Sequence, residues 1–166
     1  MNRTRIFLLA VCLIAATAFA GPETGVRGGN RDRAPVLSAR DFDLRKFEGK
    51  VVLIGFWRGF DCVTCPDYID WLRSMQTRFG GEGLLVVAVN EDRESAAATD
   101  LLNKIHRSSL VVIDPKGTLG AQHELEAVPS TFLYDRNLNL AASFAGYVHR
   151  ETGAEEEAIA ELVAKP

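Results

Sequence analysis

Residues 51–65 read VVLIGFWRGFDCVTC, an apolar run that is followed after four further residues by a Cys-x-x-Cys pair. The run Val51–Trp57 does not alternate between apolar and polar residues, which is typical of a strand buried on both faces. Cys62 and Cys65 stand directly before a stretch with helical periodicity. Unpaired N–H groups and the dipole at a helix start favour a thiolate on the first cysteine. Because a thiolate is the form that attacks a disulfide, the placement suggests redox chemistry.

Strand-like and helix-like stretches alternate through the rest of the chain. Apolar residues at three-and-four spacing predict a helix over 62–79, which the glycines at 80, 81 and 83 end. Short apolar runs predict strands, and amphipathic stretches predict further helices; the strands fall at 36–37, 42–44, 84–89, 110–113, 131–134 and 140–144, and the helices at 94–106 and 155–163. This order predicts an α/β fold with a mixed central sheet and helices on both faces.

The N-terminus has the features of a secretory signal. Arg3 and Arg5 precede the apolar run 6–16, and Ala18-Phe19-Ala20 supplies small residues where a signal peptidase cleaves. We expect a signal peptide at 1–20, a flexible linker at 21–33 and one folded domain at 34–166. The apolar run is short for a membrane span, so we expect no stable membrane insertion after signal removal. An uncleaved signal anchor is the alternative.

Composition narrows the possible functions. Residues 1–20 contain two of the 19 basic residues and none of the 22 acidic ones, so cleavage would leave a net charge of −5. A negative chain without a basic patch is a poor partner for nucleic acid. Cys12 is lost with the signal, and the single remaining pair is not the multi-bridge framework of a small disulfide scaffold.

These features together resemble the thioredoxin superfamily. A strand ending in Phe56-Trp57 leads to Cys-x-x-Cys at a helix start, and Val128-Pro129-Ser130-Thr131-Phe132 opens a later strand before a hairpin and a final helix. Within the superfamily the chain is similar to the exported TlpA/ResA type of thiol–disulfide oxidoreductase. The resemblance covers residue 34 to the C-terminus, and it implies a thioredoxin-like fold for that domain.

The resemblance also implies roles for individual residues. Cys62 would be the exposed nucleophile that forms a mixed disulfide with a client, and Cys65 the buried thiol that resolves it, the two forming a redox-active disulfide. Pro129 matches the family's cis-proline, whose loop faces the dithiol. Val128 would offer backbone groups to a docking peptide, and Trp57 would be half core and half active-site wall. We predict no metal and no cofactor.

Three features depart from the family pattern. The segment 58–61 between Trp57 and Cys62 is one residue longer than in thioredoxins, and within it Asp61 would oppose a thiolate that Arg58 would favour. Gly55 stands where cytosolic thioredoxins keep a buried acid. Tyr68 stands where the exported group often has a glutamate, so a buried acid–base helper is unidentified, and Glu126 near the proline is the remaining candidate.

The expected function is therefore that of an exported enzyme, located in the periplasm or elsewhere outside the cytoplasm. We expect it to reduce disulfides of cysteine-containing client proteins rather than to oxidise thiols, with apocytochrome c maturation as one role that the resemblance suggests. Because the bacterial envelope is kept oxidising, a membrane thiol donor would have to recycle the dithiol.

Two other classes of protein stay open on the sequence alone. Cys65-Pro66 is similar to the Cys-Pro of the SCO copper chaperones, although that group spaces its cysteines one residue wider and adds a histidine, for which His123 is only roughly placed. The other alternative is a non-catalytic binding module in which the Cys62–Cys65 pair serves stability alone. A bridge across one turn closes a very small loop and stabilises little by chain entropy.

Overall fold

The structure is a computed structural model, and it describes residues 32–93, 98–148 and 152–165. The predicted signal peptide and nearly all of the predicted linker lie outside the described residues. In the described part of the chain, no helix has both the length and the apolar character needed to cross a bilayer.

A six-stranded mixed sheet forms the centre of the domain. Its strands are β1 (Val36–Ser38), β2 (Val51–Trp57), β3 (Leu84–Asn90), β4 (Leu110–Ile113), β5 (Ser130–Tyr134) and β6 (Leu140–Ala145). Their spatial order is β1-β4-β3-β2-β5-β6. Strands β1, β4, β3 and β2 are parallel to one another, whereas β5 is antiparallel to both of its neighbours, β2 and β6. The predicted mixed sheet and the predicted hairpin are therefore both present.

Helices cover both faces of this sheet, as predicted. Within the described residues the α-helices are α1 (Cys65–Phe79), α2 (Thr99–Leu102), α3 (Thr118–Gln122) and α4 (Gly153–Val163). Odd-numbered residues of the fully buried β2 share a core with α1, α2 and α4. Even-numbered residues of β2 share the other core with α3. A central strand with a core on each side explains why residues 51–57 are uniformly apolar.

Several predicted elements differ from the structure in extent. Residues 42–44 are not a strand, because the Asp43 carboxylate accepts the Arg45 N–H and begins a 3-10 helix, Leu44–Phe47. Of the helix predicted at 94–106, only Thr99–Leu102 is helical among the described residues, and 94–97 lie outside them. Helix α3 was not predicted.

Candidate active site

The candidate site lies at one edge of the sheet, where chain segments from four strands meet. Trp57 at the end of β2 is paired with Asn90 at the end of β3, and Asn90 is paired with Ile113 at the end of β4. Ser130, the first residue of the antiparallel β5, lies opposite Phe56. The loops that follow β2, β3 and β4 and the loop that precedes β5 are thus brought to the same edge, although they are far apart in sequence.

Cys62 and Cys65 form a disulfide at this edge, with their Cα atoms 5.4 Å apart. Helix α1 begins at Cys65, three residues later than predicted, because Pro66 occupies the first helical turn and residues 62–64 form a turn instead. Cys62 is partly exposed, whereas Cys65 is completely buried and accepts a hydrogen bond from the Arg58 backbone N–H at 3.5 Å. The two cysteines therefore differ in access to solvent.

The loop before β5 lies at the same edge of the sheet as the end of β2, because Ser130 is paired with Phe56. The Val128–Pro129 peptide bond is cis, as the resemblance implies, and Pro129 is buried. The Pro129 carbonyl accepts the Gly146 N–H at 2.9 Å, which joins the loop to the residue that follows β6. Among the described residues, neither the N–H nor the carbonyl of Val128 makes a hydrogen bond. Val128 therefore presents backbone groups with which an extended peptide could pair.

We predicted that Trp57 would lie half in the core and half in the active-site wall, and the structure places it differently. Its side chain is completely buried in the core that it shares with α1. Its indole N–H has no hydrogen-bond partner among the described residues. Trp57 therefore offers no exposed surface to a client. The exposed apolar side chains beside Cys62 are Phe60 and Val63, with 65% and 96% of their surfaces accessible, and neither was singled out in the sequence.

Asp92 fixes the long loop between β2 and Cys62. Its carboxylate accepts the backbone N–H groups of Gly59 at 2.6 Å and Phe60 at 3.1 Å, and it also accepts from the Asn90 side-chain amide at 2.7 Å. Asp61, the last residue of the loop, has a φ of 54°. The sequence showed that the loop has one extra residue. It did not show that the Asp92 carboxylate, 33 residues after Gly59 and 32 after Phe60, accepts the N–H groups of this loop.

Arg58, which was expected to favour a thiolate on Cys62, has a carboxylate partner in the structure. The guanidinium pairs with the Glu91 carboxylate at 3.3 Å, and Glu91 is almost entirely buried. Burial raises the pKa of Glu91 above its usual value, and the hydrogen bond from Arg58 opposes that rise. A cavity of about 940 Å³ opens beside this pair and extends from Phe60 to the turn at Lys116 after β4.

Tyr68 lies in the buried layer below the dithiol, three residues after Cys65. Its hydroxyl contacts Ser130 and Thr131 at the start of β5. Burial raises the pKa of this phenol far above its usual range, so the group is neutral at physiological pH. The helix of the dithiol and the strand that follows the cis-proline are thus joined by one side chain.

Among the described residues, two other predicted candidates make no hydrogen bond or ion pair with the dithiol residues. Glu126, the candidate acid–base helper, is exposed in the loop before Val128. His123 packs edge-on against Phe56 and Phe132, on the face of the sheet opposite the dithiol. Within the described residues, no three His, Cys, Asp or Glu side chains are grouped so that they could hold a metal ion.

The sheet order, the Cys-x-x-Cys pair at a helix start and the cis-proline before β5 together define a thioredoxin-like protein. Comparison with known proteins agrees with this class. The chain belongs to the Redoxin family, whose model matches residues 32–162.

Individual relatives are of the ResA and DsbE type. The thiol–disulfide oxidoreductase ResA of Bacillus subtilis (strain 168) is 25% identical over 137 residues, which are 79% of this chain and 76% of that protein. The thiol:disulfide interchange protein DsbE of Pseudomonas aeruginosa is 29% identical over 119 residues, which are 71% of this chain and 63% of that protein. A crystal structure assigned to a DsbE from Chlorobium tepidum has a TM-score of 0.67 and 29% identity, and the match covers 72% of this chain and 84% of that one.

Proposed function

We propose that this protein is an exported thiol–disulfide oxidoreductase that reduces disulfides in client proteins. The observation that carries the proposal is the unequal exposure of the two bonded cysteines, with Cys62 partly exposed and Cys65 buried. A purely structural bridge does not need one sulfur within reach of another protein. The similarity to ResA and DsbE proteins supports the same activity.

The proposed reaction begins with the reduced dithiol. The Cys62 thiolate attacks one sulfur of a client disulfide, forms a mixed disulfide and releases the other client sulfur as a thiolate. The Cys65 thiolate then attacks the Cys62 sulfur and releases the second client thiolate. Two electrons pass to the client, and the protein is left with the Cys62–Cys65 disulfide seen in the structure.

Docking of the client would use the edge beside the dithiol. The unpaired backbone of Val128 can form strand-like hydrogen bonds with an extended client segment. The exposed side chains of Phe60 and Val63 flank Cys62 and can contact apolar client residues. Pro129 contributes to this surface through the backbone geometry that it gives to Val128.

Export and direction of electron flow are further parts of the proposal. The basic and apolar pattern of residues 1–20 supports secretion to the periplasm or an equivalent compartment outside the cytoplasm. There the dithiol would need a membrane thiol donor, because the compartment is oxidising. Of the possible clients, apocytochrome c is the one that the family resemblance suggests.

The test of this function is the reduction of insulin in the presence of dithiothreitol, compared between the wild-type protein and Cys62→Ser. We expect the wild-type protein to accelerate insulin precipitation and Cys62→Ser to have only the background rate. Equal rates for the two proteins would overturn the proposal. The direction is tested by the reduction potential in glutathione buffers, where a value near about −270 mV indicates a reductant and one near about −120 mV an oxidant.

A further inference from the structure

Tyr68 connects the dithiol helix to the cis-proline loop through its hydroxyl group. The phenol donates to the Ser130 carbonyl at 3.1 Å and lies 2.8 Å from the Thr131 hydroxyl. Because a phenol has one hydrogen, the Thr131 hydroxyl is the donor in the second bond. Tyr68 follows Cys65 by three residues in α1, and Ser130 directly follows Pro129. The connection therefore spans the two parts of the site that have to meet around a client.

The space that this hydroxyl occupies is available because residue 55 is glycine. A Cβ atom at Gly55 would lie 2.6 Å from the Tyr68 oxygen and 2.9 Å from Leu72 Cδ1, both closer than real Cβ contacts allow. Gly55 and Tyr68 are the two positions where the family resemblance would lead one to expect an acidic residue. In the structure the two departures are one feature, since the phenol fills the volume that a side chain at Gly55 would take.

The ring of Tyr68 is held firmly by its neighbours. It stacks on Trp71 with ring centroids 5.6 Å apart, and it meets Tyr147 edge to face at 5.3 Å. The residue is completely buried. A fixed ring gives the hydroxyl a fixed position, so its hydrogen bonds tie α1 to the start of β5, which is also paired with β2 and β6 in the sheet.

We propose that Tyr68 is a positioning residue for client docking, and that its hydroxyl sets the place of the Val128–Pro129 loop relative to the Cys62–Cys65 pair. This inference rests on the proposed thiol–disulfide exchange with a docked client. Tyr68 does not touch the reacting sulfurs in this proposal, and it acts through Ser130 and Thr131. The site would consequently discriminate between a peptide, which needs the loop, and a small thiol, which needs only access to Cys62.

The experiment compares these two partners at equilibrium in a Cys65→Ser background, where a mixed disulfide on Cys62 cannot be resolved. The mixed disulfide of Cys62 with 2-mercaptoethanol is incubated with a ten-residue peptide that contains one cysteine. Exchange releases 2-mercaptoethanol and leaves the peptide bonded to Cys62, so one disulfide is lost for each one formed. Peptide mass spectrometry locates and quantifies both adducts, which gives the exchange constant.

Tyr68→Phe keeps the ring and removes only the hydroxyl. We expect it to lower the exchange constant for the peptide about threefold to tenfold, the effect of losing a buried hydrogen bond that positions a partner. Thr131→Val removes one of the two hydrogen-bond partners of Tyr68. We expect this substitution also to lower the exchange constant for the peptide, but by a smaller factor. Tyr147→Phe is the matched control, because its hydroxyl makes no hydrogen bond among the described residues and its ring belongs to the same cluster.

The outcomes separate this inference from the function on which it rests. An exchange constant for Tyr68→Phe equal to that of the parent, or equal shifts in Tyr68→Phe and Tyr147→Phe, would overturn the positioning role. Loss of the 2-mercaptoethanol adduct together with the peptide adduct in Tyr68→Phe alone would also overturn it, since the residue would then serve the fold of the whole site. If the parent protein takes neither partner on Cys62, the proposed function itself fails.

Discussion

Gly55 lies in the middle of the central strand, where a side chain would ordinarily add to the core. Its Cα instead faces the Tyr68 hydroxyl and the Leu72 side chain, and both fill the space above it. A glycine within a strand usually weakens the strand, because it buries no side chain and gains backbone freedom on unfolding. Here the loss is offset by a buried phenol that reaches the neighbouring strand.

A Gly55→Ala substitution tests this close packing. The new Cβ would lie 2.6 Å from the Tyr68 oxygen, so we expect the free energy of unfolding to fall by about 1–3 kcal/mol, as overpacking of a core does. In a Tyr68→Phe background the loss should be smaller, because only the contacts with Leu72 remain. Urea unfolding of the oxidised protein measures both effects.

Gly81→Ala is the matched control for this prediction. A Cβ at Gly81 would meet no atom within 4 Å, so its effect should stay within about 0.5 kcal/mol. The close packing of Gly55 against Tyr68 would be contradicted if the two alanine substitutions lowered the free energy of unfolding equally. It would also be contradicted if Gly55→Ala caused the same loss with and without the Tyr68 hydroxyl.

Among individual residues, those that carry the chemistry could be predicted from the sequence better than the packing contacts around them. Cys62, Cys65 and Pro129 could be singled out because their spacing follows local motifs. The contact between Gly55 and Tyr68 could not be predicted, since it depends on how α1 lies across the sheet. Trp57 was predicted to be half core and half active-site wall. Its complete burial depends on the packing of α1 and could not be seen in the sequence.

The loop that precedes the dithiol is the element in which this chain differs most from the family pattern. Its extra residue leaves backbone N–H groups that no neighbouring strand can satisfy. Asp92 lies two residues after the end of β3, and its carboxylate accepts hydrogen bonds from the backbone N–H groups of Gly59 and Phe60. An exposed loop is thus tied to the sheet by a buried charge.

Asp92→Asn should loosen this loop. An amide can accept through one oxygen only, and its NH₂ group would face the N–H donors, so we expect the free energy of unfolding to fall by about 1–3 kcal/mol. We also expect faster hydrogen exchange of the amides of Gly59 and Phe60 and slower disulfide exchange at Cys62. Amide exchange followed by NMR and the insulin assay measure these effects.

Asp135 provides a matched control at another turn. Its carboxylate accepts the N–H groups of Asn137 and Asn139 in the hairpin between β5 and β6. Asp135→Asn changes the same type of interaction but leaves the loop 58–61 intact. Insulin reduction that is slowed equally by both substitutions would contradict the specific role of Asp92.

Elements with uninterrupted apolar runs were predicted closely, and short helices were not. Strand β2 has the predicted bounds, because burial on both faces leaves an unmistakable pattern. Helix α3 has only five residues, too few for helical periodicity, and it depends on the Asp114 carboxylate, which accepts the N–H groups of Thr118 and Leu119. The local sequence 114–117 indicated only a turn.

Across the whole molecule, the sheet separates two cores with different contents. The core on the side of α1 contains the dithiol and the Tyr68 cluster. The other core is aliphatic and aromatic, and His123 packs into it against Phe56, Phe132 and Tyr134. Burial lowers the pKa of His123, although its hydrogen bond with the Leu119 carbonyl opposes that effect.

This buried histidine should make the stability of the protein depend on pH. In the unfolded chain the imidazole takes up a proton near its ordinary value of 6.5, whereas the folded chain does so only at lower pH. The unfolded state therefore binds more protons in this window, and stability is lost as the pH falls from 6.5 towards the lowered pKa. We expect a slope of up to about 1.4 kcal/mol per pH unit from this residue.

His123→Phe removes the titrating group and keeps an aromatic ring in the cluster. The variant loses the hydrogen bond with Leu119 and should be less stable than the wild type at neutral pH, but its stability should fall less steeply on acidification. Urea unfolding of both proteins between about pH 5 and 7.5 gives the two slopes. Parallel slopes would show that His123 does not titrate differently on folding.

The overall architecture could be predicted from the sequence, but the sequence did not show which loops lie together at the edge of the sheet. The order of strands and helices predicted a mixed sheet covered on both faces, and the structure has that arrangement. The site is assembled from four loops that only the strand order brings together. Residues such as Asp92, whose role depends on a partner in another loop, have no local signature.

The most direct test of the account is to trap the client on one named sulfur. Reduced Cys65→Ser and Cys62→Ser proteins are each incubated with oxidised insulin, and covalent adducts are identified by mass spectrometry. If Cys62 is the cysteine that attacks, we expect a stable mixed disulfide on Cys62 in Cys65→Ser and no adduct in Cys62→Ser. Adducts of equal yield in both proteins, or an adduct on Cys65 alone, would contradict the assignment of the exposed sulfur as the one that attacks.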